Sequence, residues 1–420
     1  MKLLHNFIRR IQRTLSETAF VWIHEINTAF RDEAVLVFMI IVPLGYPLLY
    51  SYIYNNEVVR EIPVAVVDNC RSSLSREYIR LLDASQYANV TQQAPDLESA
   101  RELMRREKVY CVLHIPADFS RNLNTGRQTR VFAFCDARTL LYYRQFSLAN
   151  TDVSLKMNAR IKLAQAGNTT RRQDDITTAP LQYREVNLFN PTTGIASSIL
   201  PAVLILILQQ TMLLGVAINA GTMREKNTFR LFSPIAHHSG GMLQIVLGRS
   251  LCYMPVYIAT SVYILGITPM LFHFNRLVHF ADIVAFMLPY LLAISFLAQA
   301  VSHLIKTRES SMMMILFSSL VLLFISGISW PWCSIPPFWK VVSYLFPSTF
   351  GINGFVRMTN EGAHLSQVSF EYTGLWIQAF AYMLLAMYTT RKDISQSCRK
   401  FNRLHRKPKA NRTESASIGA

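Results

Sequence analysis

The chain has 420 residues, 51% of them hydrophobic and 16% charged, with a formal net charge of +16. That balance is too apolar for an ordinary soluble protein, and the apolar residues come in blocks. The tail from Arg391 onward holds nine Lys or Arg against Asp393 and Glu414, a net of +7. Beside membrane-length apolar blocks, such a run anchors topology rather than binding nucleic acid.

Residues 1–33 come first. Leu4, Phe7, Ile8, Ile11, Leu15, Ala19, Trp22, Ile23 and Ile26 recur at helical spacing, with Arg9, Arg10 and Arg13 between them. This predicts an amphipathic helix on the cytoplasmic membrane surface, and a helix packed on a soluble partner would show the same pattern. Glu17, Glu25, Asp32 and Glu33 argue against a cleaved signal peptide. Six blocks are then long enough to cross a bilayer: 34–54, 195–220, 250–271, 281–302, 311–330 and 371–390. Basic residues crowd 1–33, the 221–242 loop, Lys306 with Arg308, and 391–420, whereas the alternate loops are poor in them. Both termini are therefore expected in the cytoplasm.

The insert at 55–190 cannot cross a membrane and is expected outside. IPVAVVD (62–68), YANVTQQ (87–93), VYCVLHI (109–115) and TRVFAFCD (129–136) read as strands. A helix capped by Ser72 or Ser73, one opened by Pro95 and a long one at 138–165 lie among them. The following AGNTTRRQDDITTAP reads as a loose segment. The expected fold is thus a polytopic α-helical membrane protein with six transmembrane helices and an inserted α/β extracytoplasmic domain. Asp68 reads as a turn or cap residue. Cys111 and Cys135 fall on strands that could be neighbours, so a disulfide or two buried thiols would fit.

No Asp, Glu, Lys or Arg sits mid-span, which counts against a proton-driven transporter. The deep polar residues are amides: Gln209, Gln210 and Gln299. They read as interhelical hydrogen-bond partners or as contacts on a substrate path. The chain has no GxxxxGK[ST], HExxH or GxSxG, and no cysteine–histidine spacing suited to zinc. The adjacent His237 and His238 point two ways on a helix and do not suit one metal. WPWCSIPPFW (330–339) suits an aromatic belt, and the broken apolar run after it, within 331–369, a re-entrant or interfacial hairpin.

Five stretches then carry a resemblance covering nearly the whole chain: VAVVDNCRSSLSR (64–76), NPTTGIASSILP (190–201), REKNTFRLFSP (224–234), LGRSLCY (247–253) and FPSTFGINGFVRMTNEG (346–362). In this order along six spans they resemble ABC-2 type transporter permease subunits. The likeness is to bacterial exporter permeases with a large periplasmic domain between the first and second transmembrane helices. In that family the loop after the second span is a coupling helix that docks on a separate cytoplasmic ABC ATPase. The resemblance carries that role onto Arg224, Glu225, Lys226, Thr228, Arg230, Ser233 and Pro234. Asn227 replaces the family's usual glycine, and Arg230 its usual acidic residue.

Two functions are weighed. In the first, the chain is the non-enzymatic permease of an ATP-driven exporter in the bacterial inner membrane, moving a hydrophobic or amphipathic substrate. It binds no cofactor itself; ATP and Mg belong to the partner ATPase. A second permease, homodimeric or a paralogue, a periplasmic adaptor and membrane lipid are the other expected partners. In the second, the chain is a membrane-anchored receptor or sensor using its external domain.

Overall fold

A computed structural model describes residues 2–55, 58–167, 170–178, 194–238, 240–272, 274, 279–305, 307–328 and 330–405. The chain divides into a helical unit, Met1–Asn55 with Asn187–Ala420, and a second unit, Asn56–Val186. In chain order, α1 (Lys2–Ala29) buries Val21, Glu25 and Ala29, while Ile11, Leu15, Trp22 and Ile23 of its apolar stripe stay exposed. An exposed stripe of this kind suits a membrane surface. Asp32 caps α2 (Glu33–Leu36), which passes through a π-turn at Val37–Ile41 into α3 (Val42–Ile53).

The second unit runs β1 (Ile62–Asp68), α4 (Ser73–Asp83), β2 (Ala88–Gln93), α5 (Leu97–Arg105), β3 (Cys111–Ile115), α6 (Phe119–Asn124), β4 (Phe132–Cys135), α7 (Leu140–Ala166) and α8 (Arg171–Thr178). The sheet order is β2-β1-β3-β4, with β1 parallel to both neighbours and β4 antiparallel to β3. Val64, Val66 and Leu113 pack with Phe146 and Val153 of α7 on one face, and Ala65, Val67 and Val112 with Ala100 of α5 on the other. A strand covered on both faces must be apolar throughout, which is why β1 reads as an unbroken run. Asp68 does serve the turn, accepting the Cys70 and Arg71 N–H groups and the Ser75 hydroxyl. Ser72 and Ser75 form a reciprocal capping box at α4.

Several boundaries differ from expectation. The second helix opens at the N-cap Asp96, one residue after Pro95. The fourth strand is confined to 132–135, where β3 provides its partners. The segment read as loose contains α8, whose start is tied by Gln173 accepting the Thr170 N–H. Cys111 and Cys135 face each other across β3 and β4 as free thiols. The contact with Cys135, and then burial, push the Cys111 thiol up.

Back in the helical unit, α9 (Ile195–Glu225) leads to a 3₁₀ turn at Thr228–Phe232 and α10 (Ser233–Ala236). Next come α11 (Gly241–Val262), a π-turn at Tyr263–Ile267 and α12 (Thr268–Leu271), then α13 (Phe280–Ser302) and α14 (Arg308–Ile325). The last helices are α15 (Pro337–Ser343), α16 (Pro347–Glu361) and α17 (Ser369–His405). The buried axis is α9, packed by α13, α14 and α16.

Among the described residues, five helices are long and apolar enough to cross a membrane: Glu33–Ile53, Ala196–Glu225, Gly241–Leu271, Phe280–Ser302 and Arg308–Ile325. The sixth expected span, 371–390, is part of α17 but falls short in apolarity, because Glu371, Gln378 and Tyr372, Tyr382 and Tyr388 dilute it. Rather than ending at 390, α17 runs on to His405, so much of the expected tail is helix; 406–420 lie outside the described residues. The fifth block ends at Ile325 rather than 330, because Gly327 turns the chain with a φ of +88°.

Candidate functional site: a clasped charged loop and a buried polar axis

The charged loop begins inside the helix that precedes it. Arg224 and Glu225 form the last turn of α9, and the expected coupling helix over 221–242 is two short turns instead. Between α9 and the first of these turns Asn227 has a φ of +56°, in the left-handed region that glycine and asparagine tolerate best. That geometry accounts for asparagine at a position where glycine is usual.

Arg224 turns inward. It forms an ion pair with Asp393 of α17 at 2.7 Å, and its Nη1 donates to the Ser302 and Ile305 carbonyls. His303 meets the same carboxyl at 2.7 Å. Phe229, fully buried, lies under two guanidiniums: Arg224 is 5.7 Å and Arg249 5.4 Å from its ring centre. Arg249, only 1% exposed, pairs with Glu25 of α1 at 3.2 Å. Tyr253 donates to the same Glu25 carboxylate, and Asn219 bridges Glu25 and Tyr253. Arg249, in the LGRSLCY stretch, is thus a buried partner of Glu25, well inside the Gly241–Leu271 helix.

Further contacts close the clasp. Ser397 donates to the carbonyl and side-chain oxygens of Asn227, and Arg230 lies 4.0 Å over the Phe401 ring. His24 of α1 meets Phe232 edge-on at 5.4 Å, and Arg13 contacts His238. Thr228 donates to the Met223 carbonyl, and the Ser233 carbonyl bonds the His237 ring. Glu225, Lys226, Arg230, Leu231 and Pro234 nevertheless remain exposed. Glu225 accepts the Arg308 N–H at 3.2 Å and borders a polar cleft of about 430 Å³ with Lys226, Arg31 and the Asp32–Arg308 ion pair. The candidate residues thus divide into an anchor (Arg224, Thr228, Ser233) and an outward face (Glu225, Lys226, Arg230, Pro234). Phe229, Asp393, Glu25 and Arg249 escaped sequence reading; the only hint was an aromatic inside a charged stretch.

The three amides do not gather at one place. Gln209 donates to Ser348 of α16 at 3.1 Å, and Gln299 to Ser250 of α11 at 2.8 Å. Gln210 is buried with neither amide atom paired. Its spacing of seven from Ala217, whose carbonyl accepts from Ser311, puts it on the face of α9 toward α14. Among the described residues no cluster of His, Cys, Asp or Glu could hold a metal ion.

A buried helical bundle with several membrane-length apolar helices defines a multi-pass membrane protein. The family model described as ABC-2 family transporter protein matches residues 34–388. The chain belongs to this family, whose permeases work in general with an ABC ATPase. A comparison with curated proteins finds no match.

Proposed function

We propose that the chain is the permease subunit of an ATP-binding-cassette exporter, with its ATPase docking on the outward face of the 224–238 loop. The observation that carries this reading is the clasp. The loop is fixed to α1, α11 and α17 by ion pairs and aromatic contacts, yet Glu225, Lys226, Arg230, Leu231 and Pro234 stay exposed to a partner. A surface that is both rigidly mounted and exposed can pass a push from a soluble subunit into the bundle.

In this reading α17 completes six spans, both termini face the cytoplasm of a bacterium, and the 56–186 unit lies outside, where an adaptor could meet it. ATP and Mg are bound by the partner alone, and two permease copies, or this chain and a paralogue, enclose the path. The cargo is hydrophobic or amphipathic. It passes along α9, where Gln210 is the amide left for it.

The decisive variant is Glu225→Lys. It should insert and melt like the parent, and ATP hydrolysis by the partner should persist while transport into inverted vesicles falls by about tenfold or more. Transport at the parental rate would remove the loop from the mechanism.

A further inference from the structure

At the far end of the helical unit from the clasped loop is a cavity of about 430 Å³. Its walls include Trp332, Tyr344, Phe350 and Phe370 together with Arg357 and Glu371. The four rings form a continuous set: Trp332 to Tyr344 is 5.5 Å between centres, Tyr344 to Phe350 5.1 Å, and Phe350 to Phe370 5.8 Å. Phe370, 66% exposed, stands at the mouth.

Glu371 is the unusual member. It is 8% exposed. Its Oε1 accepts from Arg357 at 3.1 Å, but its Oε2 is buried with no hydrogen-bond partner. Buried carboxylate oxygens are rarely left so, because nothing replaces the water they gave up. The first turn of α17 favours a negative charge there but donates no hydrogen bond to it. Arg357 does not balance the site alone, since Glu361 also lies 3.8 Å from its guanidinium. One guanidinium against two carboxylates leaves a net charge of −1. Gly354 holds the geometry: a Cβ there would come within 2.4 Å of the Phe286 ring and 3.3 Å of Glu371 Cβ, so only glycine lets α16 press this close.

We infer that this cavity binds the protonated amine of an organic cation with an apolar body. Its charge lies against the Glu371 carboxylate and the aromatic faces, a rotation of that carboxylate brings Oε2 to its N–H, and its apolar part fills the rest of the space. The inference deepens the exporter reading by naming a cargo class, but binding itself needs neither ATP nor the partner. The amine could be that of a soluble amphipathic compound or of a lipid headgroup.

The test uses the full chain in nanodiscs of phosphatidylglycerol, which has no amine. Naphthylmethylamine and its neutral analogue naphthylmethanol are titrated separately, and binding is read by tryptophan fluorescence. The amine should bind about tenfold tighter. Glu371→Gln should abolish that preference, and Glu361→Gln, which leaves Arg357 to balance Glu371 alone, should weaken it without abolishing it. Equal binding of the two probes by the parent, or an undiminished preference in Glu371→Gln, overturns the inference. Should Glu371→Gln fail to insert, Phe370→Leu decides: weaker amine binding supports the site, and unchanged binding removes it. Nanodiscs with phosphatidylethanolamine distinguish the sources, since loss of probe binding there identifies a lipid amine and retention a soluble one. Binding without any transport by the assembled complex would sink the exporter reading and leave the site standing.

Discussion

The two units of this chain use charge in opposite ways. In the α/β unit most helical ion pairs are exposed and join neighbours along one helix, as in Glu102 with Arg106 and Asp152 with Lys156, the pair of Arg160 on α7 with Glu77 on α4 being the exception. Its fold rests on an apolar core covered on both faces of the sheet. In the helical unit, charges are buried and paired across great sequence distances: Glu25 with Arg249, 224 residues apart, and Arg224 with Asp393, 169 apart. Solvated charge between neighbours leaves the sheet and its core to decide the fold. Buried charge specifies which helix meets which, since a misplaced helix would leave an ion unpaired in an apolar interior.

The sharpest break of this contrast is at Arg249. Arg249→Met leaves Glu25 buried without its cation, and a loss of about 3–5 kcal/mol is expected. Thermal melts in detergent measure it, and the double variant Glu25→Gln with Arg249→Met should recover a large part. If the single variant melts like the parent, buried pairing does not hold this unit together. A smaller effect separates the two adjacent amides. Gln209→Leu removes the bond to Ser348 and should cost about 0.6 kcal/mol, at most about 1.7. Gln210→Leu removes no bond within the chain and should leave the monomer's melting unchanged. Equal losses would show that Gln210 has a partner in the assembled protein. Smallest of all, Lys156→Ala in the α/β unit should change stability by no more than about 0.5 kcal/mol, because both members of its pair are largely exposed. A larger loss, read by the same melts, would erase the distinction between the units.

The contrast also decides what could be read from the sequence. Local signals sufficed for the α/β unit: β1 as an apolar run, the Ser72 cap, and the long helix α7 all stand close to where periodicity puts them. The apolar blocks likewise mark the spans, because bilayer thickness fixes their length. The errors come where tertiary contacts overrule local pattern. In α17 Glu371 answers Arg357 of α16 while Gln378 and Tyr382 donate to the Tyr344 and Leu345 carbonyls, and these residues dilute the apolar block. The loop motif was legible in residue type, and Asn227 even matches its left-handed turn. The division into anchor and outward face was not legible, because it is set by Asp393, Glu25 and Phe401 on helices remote in sequence. Nothing in a period of 3.6 residues says which distant helix will answer an arginine.

One further consequence belongs to α17. Unlike α9, α11 and α13, which contain Pro201, Pro255 and Pro289, it has no proline between Ser369 and His405. Glu371 near its start and Asp393 near its end are therefore mounted on one unkinked rod, about 33 Å apart at 1.5 Å per residue. Such a rod has no joint in which displacement can dissipate. A slide imposed where Asp393 grips the loop is therefore carried along one continuous helix toward the aromatic chamber.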